Sequence, residues 1–168
     1  MTAPLGVEQS PVREELYVRR EESSVTAHTT FTLRDGVHRL THRRRGGMGS
    51  LLRVRMQYLA SDPYAVHVRF SSGNAADVEW VFARRLLAEG LHQQSGQGDV
   101  RIAPLPGSKG AVIAIELSAP GGRAFCEASA GELAAFIDAS ERLVPIGGEP
   151  QVIDLDAELA ALLTAGGA

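Results

Sequence analysis

The residues of this chain best suited by type to acid–base or metal chemistry are five histidines: His28, His38, His42, His67 and His92. His38 and His42 stand four apart, the spacing that puts two ligands on one face of a zinc-protease helix. The residues between them are Arg39, Leu40 and Thr41. The glutamate such a site needs is missing, and an arginine between the ligands repels a dication. A nucleophile needs a base within reach and a group that orients the base. No histidine here accompanies a serine or cysteine motif, so all five read as solvated surface residues. Gly107-Ser108-Lys109-Gly110 lacks the spacing of a phosphate-binding loop. Gly96-Gln97-Gly98 precedes a strand rather than a helix, so it has no row of free amides to hold a pyrophosphate. Both read as turns. Asp154 and Asp156 stand at a helix start, where carboxylates satisfy free amides and the helix dipole. No catalytic residue, metal or cofactor is expected.

What remains is charge. Residues 34–55 hold Arg34, Arg39, Arg43, Arg44, Arg45, Arg53 and Arg55 against one acid, Asp35. Such a segment attracts an anionic partner, either nucleic acid or an acidic protein tail. The candidate contacts are Arg39, Arg43, Arg44, Arg45, Arg53 and Arg55. No aromatics are interleaved to stack bases, so the plainer reading is a solvated loop. The formal net charge is −3, but unevenly spread. From Arg84 onward 11 acids face 6 bases, while the preceding part has 9 acids and 11 bases. Sixteen of the 17 basic residues are arginine, a mark of a GC-rich genome rather than of a mechanism.

These residues must be positioned by a chain of 168 residues, enough for one domain with a substantial core. Cys126 is the single cysteine, which excludes an internal disulfide and fits a reducing cytoplasm. It reads as a small hydrophobe on a strand. No apolar run is long enough to span a membrane, and the N-terminus lacks the order of a secretory signal.

Residues 1–24 are polar and charged and read as a mobile tail, with a short helix conceivable over Val12–Arg20. Val25–Leu33 reads as a strand. Gly36–Gly47 is a basic insert. Leu52, Val54, Met56 and Tyr58 alternate with Arg53, Arg55 and Gln57, giving a half-buried strand with one basic face. Ser61-Asp62-Pro63 reads as a turn. Tyr64, Val66, Val68 and Phe70 then alternate with Ala65, His67 and Arg69, and Val78, Trp80 and Phe82 form a further strand with Trp80 in the core. An antiparallel meander is the simplest connection. Phe82–Gly90 reads as a short helix with Leu86 and Leu87 inward, Gly90 in the left-handed stop position and Leu91 packing back. Asp99–Pro104, Ala111–Leu117 and Ala124–Ala128 read as strands. The apolar run Ala111–Leu117 predicts cover on both faces. Ser129 and Glu132 form a capping box before a helix carrying Leu133, Phe136 and Ile137. A last helix, capped by Asp154 or Asp156, lines up Leu155, Leu159, Leu162 and Leu163. Strands, helix, strands and two helices make an α+β chain.

Three ordered blocks, DPYAVHVRF, VEWVFARRLLAEGL and GQGDVRIAP, resemble the signature of the SsgA-like proteins of sporulating actinobacteria. The matching positions are Asp62, Pro63, Tyr64, Trp80, Phe82, Arg84, Leu86, Leu87, Gly90, Leu91, Gly98 and Asp99. The resemblance covers about Val25–Leu163, which makes residues 25–165 a single SsgA-like domain. That family usually carries an acid where Arg85 stands and a shorter link between its first two strands. The resemblance implies a Whirly-like fold of two strand–helix units and a homotrimer. It implies a cytoplasmic, non-enzymatic adaptor at the division septum. Its implied partners are the tubulin-like division protein or another SsgA-like protein, and it implies effects on septal peptidoglycan synthesis. The alternative is a single-stranded nucleic-acid-binding module.

Overall fold

A computed structural model of the chain describes residues 17–36, 50–71, 76–152 and 154–165. Eight strands form one antiparallel sheet: β1 (Tyr17–Arg20), β2 (Ser24–Gly36), β3 (Ser50–Leu59), β4 (Asp62–Ser71), β5 (Val78–Ala83), β6 (Val100–Pro104), β7 (Val112–Ala119) and β8 (Gly122–Ser129). The helices are α1 (Arg84–Gly90), α2 (Ala130–Glu141) and α3 (Leu155–Ala165), with a 3-10 turn over Glu149–Gln151. The spatial order is β5-β4-β3-β2-β8-β7-β6, with β1 beside β2. Two meanders, each closed by a helix, are thus joined through β2. This strand pairs β1 with its first half, from Val25 to His28, and β8 with its last residues, from Thr32 to Gly36. The fold is α+β, as the sequence implies.

The sheet is buried on one side only, because side chains alternate along each strand. Val25, Ala27 and Phe31 of β2 lie inside with Leu52, Val54, Met56 and Tyr58 of β3. Val66, Val68 and Phe70 of β4 continue this face, and Ile102, Ile113, Ile115 and Leu117 extend it across β6 and β7. Leu87 of α1 and Leu133, Phe136 and Ile137 of α2 close over it. Phe31 and Phe70 meet edge to face, with centroids 5.9 Å apart. On β7 the outward residues Val112, Ala114 and Glu116 are only half-buried, so that strand is not covered on both faces.

Several local expectations are corrected. Tyr17–Arg20, within the segment read as a tail, is a strand rather than the end of a helix, paired through Tyr17↔His28 to Arg20↔Val25. Residues 1–16 lie outside the described residues, as does insert 37–47. The turn between β3 and β4 is Ala60-Ser61, and Asp62-Pro63 already opens β4. Pro63 is buried there and Tyr64 turns outward, 40% exposed, because the register shifts between Gln57 and Leu59. Helix α1 begins at Arg84, two residues after the expected start.

Gly90 is helical rather than left-handed, and packing accounts for it. A Cβ there would lie 2.4 Å from Cγ2 of Ile102, so only glycine lets α1 press onto β6. Gly96 does need the left-handed region, with φ +88°. The Ser95–Ile102 backbone bridge then closes its loop on β6. Ser129 Oγ accepts from the Glu132 amide at 3.4 Å. The Glu132 carboxylate is taken by the Thr29 hydroxyl, which ties α2 to β2. Asp154 caps α3, accepting from the Ala157 amide at 2.9 Å. Leu159 and Leu163 of that helix remain 56% and 72% exposed.

A buried clamp beneath an open basic face

The sequence blocks that carry the resemblance fold into the frame of the molecule. Trp80 and Phe82 are half-buried against the core, and Val78 at the end of the same strand is 53% exposed, so Trp80 is less enclosed than its alternation suggests. Leu87 and Gly90 are buried, and Leu86 and Leu91 are half-buried. Gly98 and Asp99 are exposed in the loop before β6, and Asp62 lies 3.4 Å from Nε2 of His67.

Arg84 is fully buried at the start of α1. A buried guanidinium is costly unless its donors are met; both terminal nitrogens of Arg84 find partners, while Nε has none among the described residues. It donates to the Val144 carbonyl at 2.7 Å, to Ser140 Oγ at 3.4 Å and to Oε1 of Glu149 at 2.7 Å. Its carbon sits 4.6 Å over the Tyr58 ring, in range for a cation–π contact. The Gly147 amide donates to Oε2 of Glu149 at 2.5 Å. Burial pushes the Glu149 carboxyl up, but the backbone amides and Arg84 outweigh it and hold it below its ordinary value. Arg84 therefore clamps β3, α1 and the segment after α2 together. Sequence reasoning marked Arg84 but not its partners, because Glu149 lies 65 residues away and nothing local points to it.

Among the described residues the opposite side of the sheet stays open. Directly opposed residues on neighbouring strands point the same way. Register therefore sets His28, Arg55, Arg69 and Glu79 in one row across β2–β5, and Gln57, His67 and Val81 in the next. Arg53 extends the patch beside Arg55. Arg69 Nη2 reaches Glu79 Oε2 at 3.2 Å, and Nδ1 of His67 lies 3.8 Å from Glu79 Oε1. Among the described residues neither Arg53 nor Arg55 has an acidic partner. Arg55, Gln57, His67, Arg69 and Glu79 line a shallow hollow. On the far half of this face two acids match two arginines: Glu116 lies 3.9 Å from Arg101 and 3.6 Å from Arg123, and Glu127 stands opposite Ala114 on the same side. Arg39, Arg43, Arg44 and Arg45 lie outside the described residues. Of the predicted basic set, the structure brings together Arg53 and Arg55 and adds Arg69 and His67. Alternation shows each of these facing outward, but only strand register sets Arg69 against Arg55.

Among the described residues no three His, Cys, Asp or Glu side chains are grouped to hold a metal. Burial pushes the Cys126 thiol up to about 11. No helix among them is long and apolar enough to cross a membrane.

Residues 52–149 match the family model described as Streptomyces sporulation and cell division protein, SsgA. The chain is 47% identical over 108 residues to the sporulation-specific cell division protein SsgB of Streptomyces coelicolor, covering 64% of this chain and 79% of that one. It is 40% identical over 121 residues to SsgB of Frankia casuarinae, covering 72% and 85%. A solved SsgA-like sporulation-specific cell division protein from Thermobifida fusca superposes with a TM-score of 0.67 at 35% identity, covering 85% of this chain and 98% of that one. A structure described with mutations in SsgB that correlate to longitudinal cell division during sporulation of Streptomyces coelicolor gives 0.67 at 36%, covering 80% and 100%.

Proposed function

The chain belongs to the SsgA family of sporulation and cell division proteins, and from that premise we propose that it is a non-enzymatic adaptor of sporulation-specific division. It helps position the tubulin-like division protein, and with it septal peptidoglycan synthesis, on the cytoplasmic side of the forming septum. Its partners are that filament protein, another SsgA-like protein, or both. The observation that supports this reading is the one-sided sheet. A broad, charged face on which Arg53 and Arg55 have no acidic partner among the described residues, over a clamped core, suits docking rather than chemistry. Residues 25–165 act as one SsgA-like domain, and homotrimers present several such faces at once.

A fluorescent fusion in sporulating cells tests the placement, and co-sedimentation with tubulin-like filaments tests the contact. Septal bands and sedimentation with filaments are expected. A fusion that stays diffuse while septa form, with no sedimentation, overturns the adaptor reading. Light scattering across a concentration series tests the trimer, and a single monomer mass overturns it.

The bare arginines Arg53 and Arg55 favour a second reading, a single-stranded nucleic-acid-binding module of Whirly-like fold. Salt-dependent binding to oligonucleotides is its test.

A further inference from the structure

We propose that the open face of β3 and β4 is a docking site for an acidic protein segment, with Arg53, Arg55 and Arg69 as its carboxylate contacts. This deepens the adaptor reading and rests on it. Four observations carry it. Arg55 and Arg69 are direct cross-strand neighbours. Like charges so placed weaken a sheet, and Glu79 at 3.2 Å compensates Arg69 alone, which leaves the Arg55 charge unanswered. Arg53 and Arg55 are exposed and have no acidic partner among the described residues. The basic surplus lies on this half of the face, since Glu116 and Glu127 match Arg101 and Arg123 on the other. Finally, the whole chain carries a net −3, so the basic surplus of this patch is a local feature that can orient an acidic partner.

Two other features of this face disfavour nucleic acid. Along β3, β4 and β5 the rows of Arg53, Arg55 and Gln57 hold no Phe, Tyr or Trp to give a base a broad stacking platform. Glu79 ends the row on the edge strand beside Arg69, where it repels a continuous phosphate backbone running off the arginines. A short acidic peptide can rest on Arg53, Arg55 and Arg69 without crossing it.

The probe is a fluorescein-labelled peptide of alternating Glu and Ser, titrated against the full chain by polarisation at rising salt. Oligothymidylate of equal charge is the comparison. Wild type should bind the peptide more tightly, with affinity falling as salt rises. Arg55→Ala with Arg69→Ala should weaken binding about tenfold, the loss of two exposed ion contacts. Arg85→Ala, which removes an exposed α1 residue paired with Glu89 at 2.9 Å, should leave it unchanged. The alanine variants must melt like wild type, and Arg55→Lys with Arg69→Lys should retain most of the binding. Wild type that ignores the peptide, or binds oligothymidylate as well, overturns the proposal. Sedimentation with tubulin-like filaments separates this from the adaptor reading. Wild type that fails to sediment refutes the adaptor, and the peptide titration then decides the face alone. A double variant that sediments like wild type refutes the face and leaves the adaptor standing.

Discussion

Replacing Glu149 by glutamine removes one charge from an enclosed ion pair while preserving its shape. The Arg84 side chain is 1% exposed and that of Glu149 10%, so solvent screens the pair little. Neutralising one partner of a buried pair costs about 3–5 kcal/mol, because the other charge stays behind unmatched. Glutamine still offers Arg84 a carbonyl oxygen, which sets the expectation near the lower end, about 3 kcal/mol. For a chain of 168 residues that corresponds to a fall in Tm of roughly 6–12 °C. The assay is urea unfolding with the m-value monitored, since a shift at constant m is a pure stability change. A loss under about 1 kcal/mol refutes the clamp as a stabilising device. Acidity offers an independent check. The Glu149 carboxyl is held below its ordinary 4.5, so its contribution is complete above that pH and is lost as pH falls through the folded value. Wild type therefore loses a component of stability on acidification below 4.5 that Glu149→Gln has already lost. Arg84→Met combined with Glu149→Leu should recover most of the deficit, because an apolar pair carries no desolvation cost.

Gly90→Ala should destabilise by about 1–3 kcal/mol in chemical denaturation, although alanine ordinarily favours helices, because its Cβ meets Ile102. Trp80→Ala should cost about 2 kcal/mol, below the usual range for a fully buried tryptophan, and a loss above about 4 kcal/mol would show deeper burial than its half-exposed position allows. Arg55→Thr should raise stability by up to about 0.5 kcal/mol by removing the repulsion from Arg69, read from the thermal midpoint. Cys126, its thiol pushed up to about 11 by burial, should react with a thiol reagent only after unfolding, and rapid labelling of the native chain would contradict its placement.

The strands were legible because period-two alternation reports one buried face directly, and β3 displays it without interruption. The alternation failed at Tyr64, where a register irregularity flips the phase and neither flanking residue reveals it. Gly90 was read as a helix stop because glycine at a helix end usually marks one. Its actual cause, Ile102 on another element, is a contact between residues distant in sequence. The same holds for the site. Arg53 and Arg55 were visible as a basic face of one strand, while their union with Arg69 and His67 needed the β3–β4 register. Tyr17–Arg20 was missed because four residues beside a charged segment give no periodicity, and pairing with β2 supplies what the local pattern lacks.

Strand β2 imposes an order on synthesis. Its last residues cannot complete their pairing until β8, which begins at Gly122, has left the ribosome. Nearly ninety residues separate Gly36 from its partner Ala124, an interval of roughly 5–20 s at ordinary rates of translation. Throughout that interval the first meander can form, yet the outer edge of β2 from Thr32 to Gly36 stays vacant. A vacant edge is a template for any passing strand, including the same strand of a neighbouring nascent chain. Shortening the chain before β8 should therefore yield aggregates rather than a smaller folded protein.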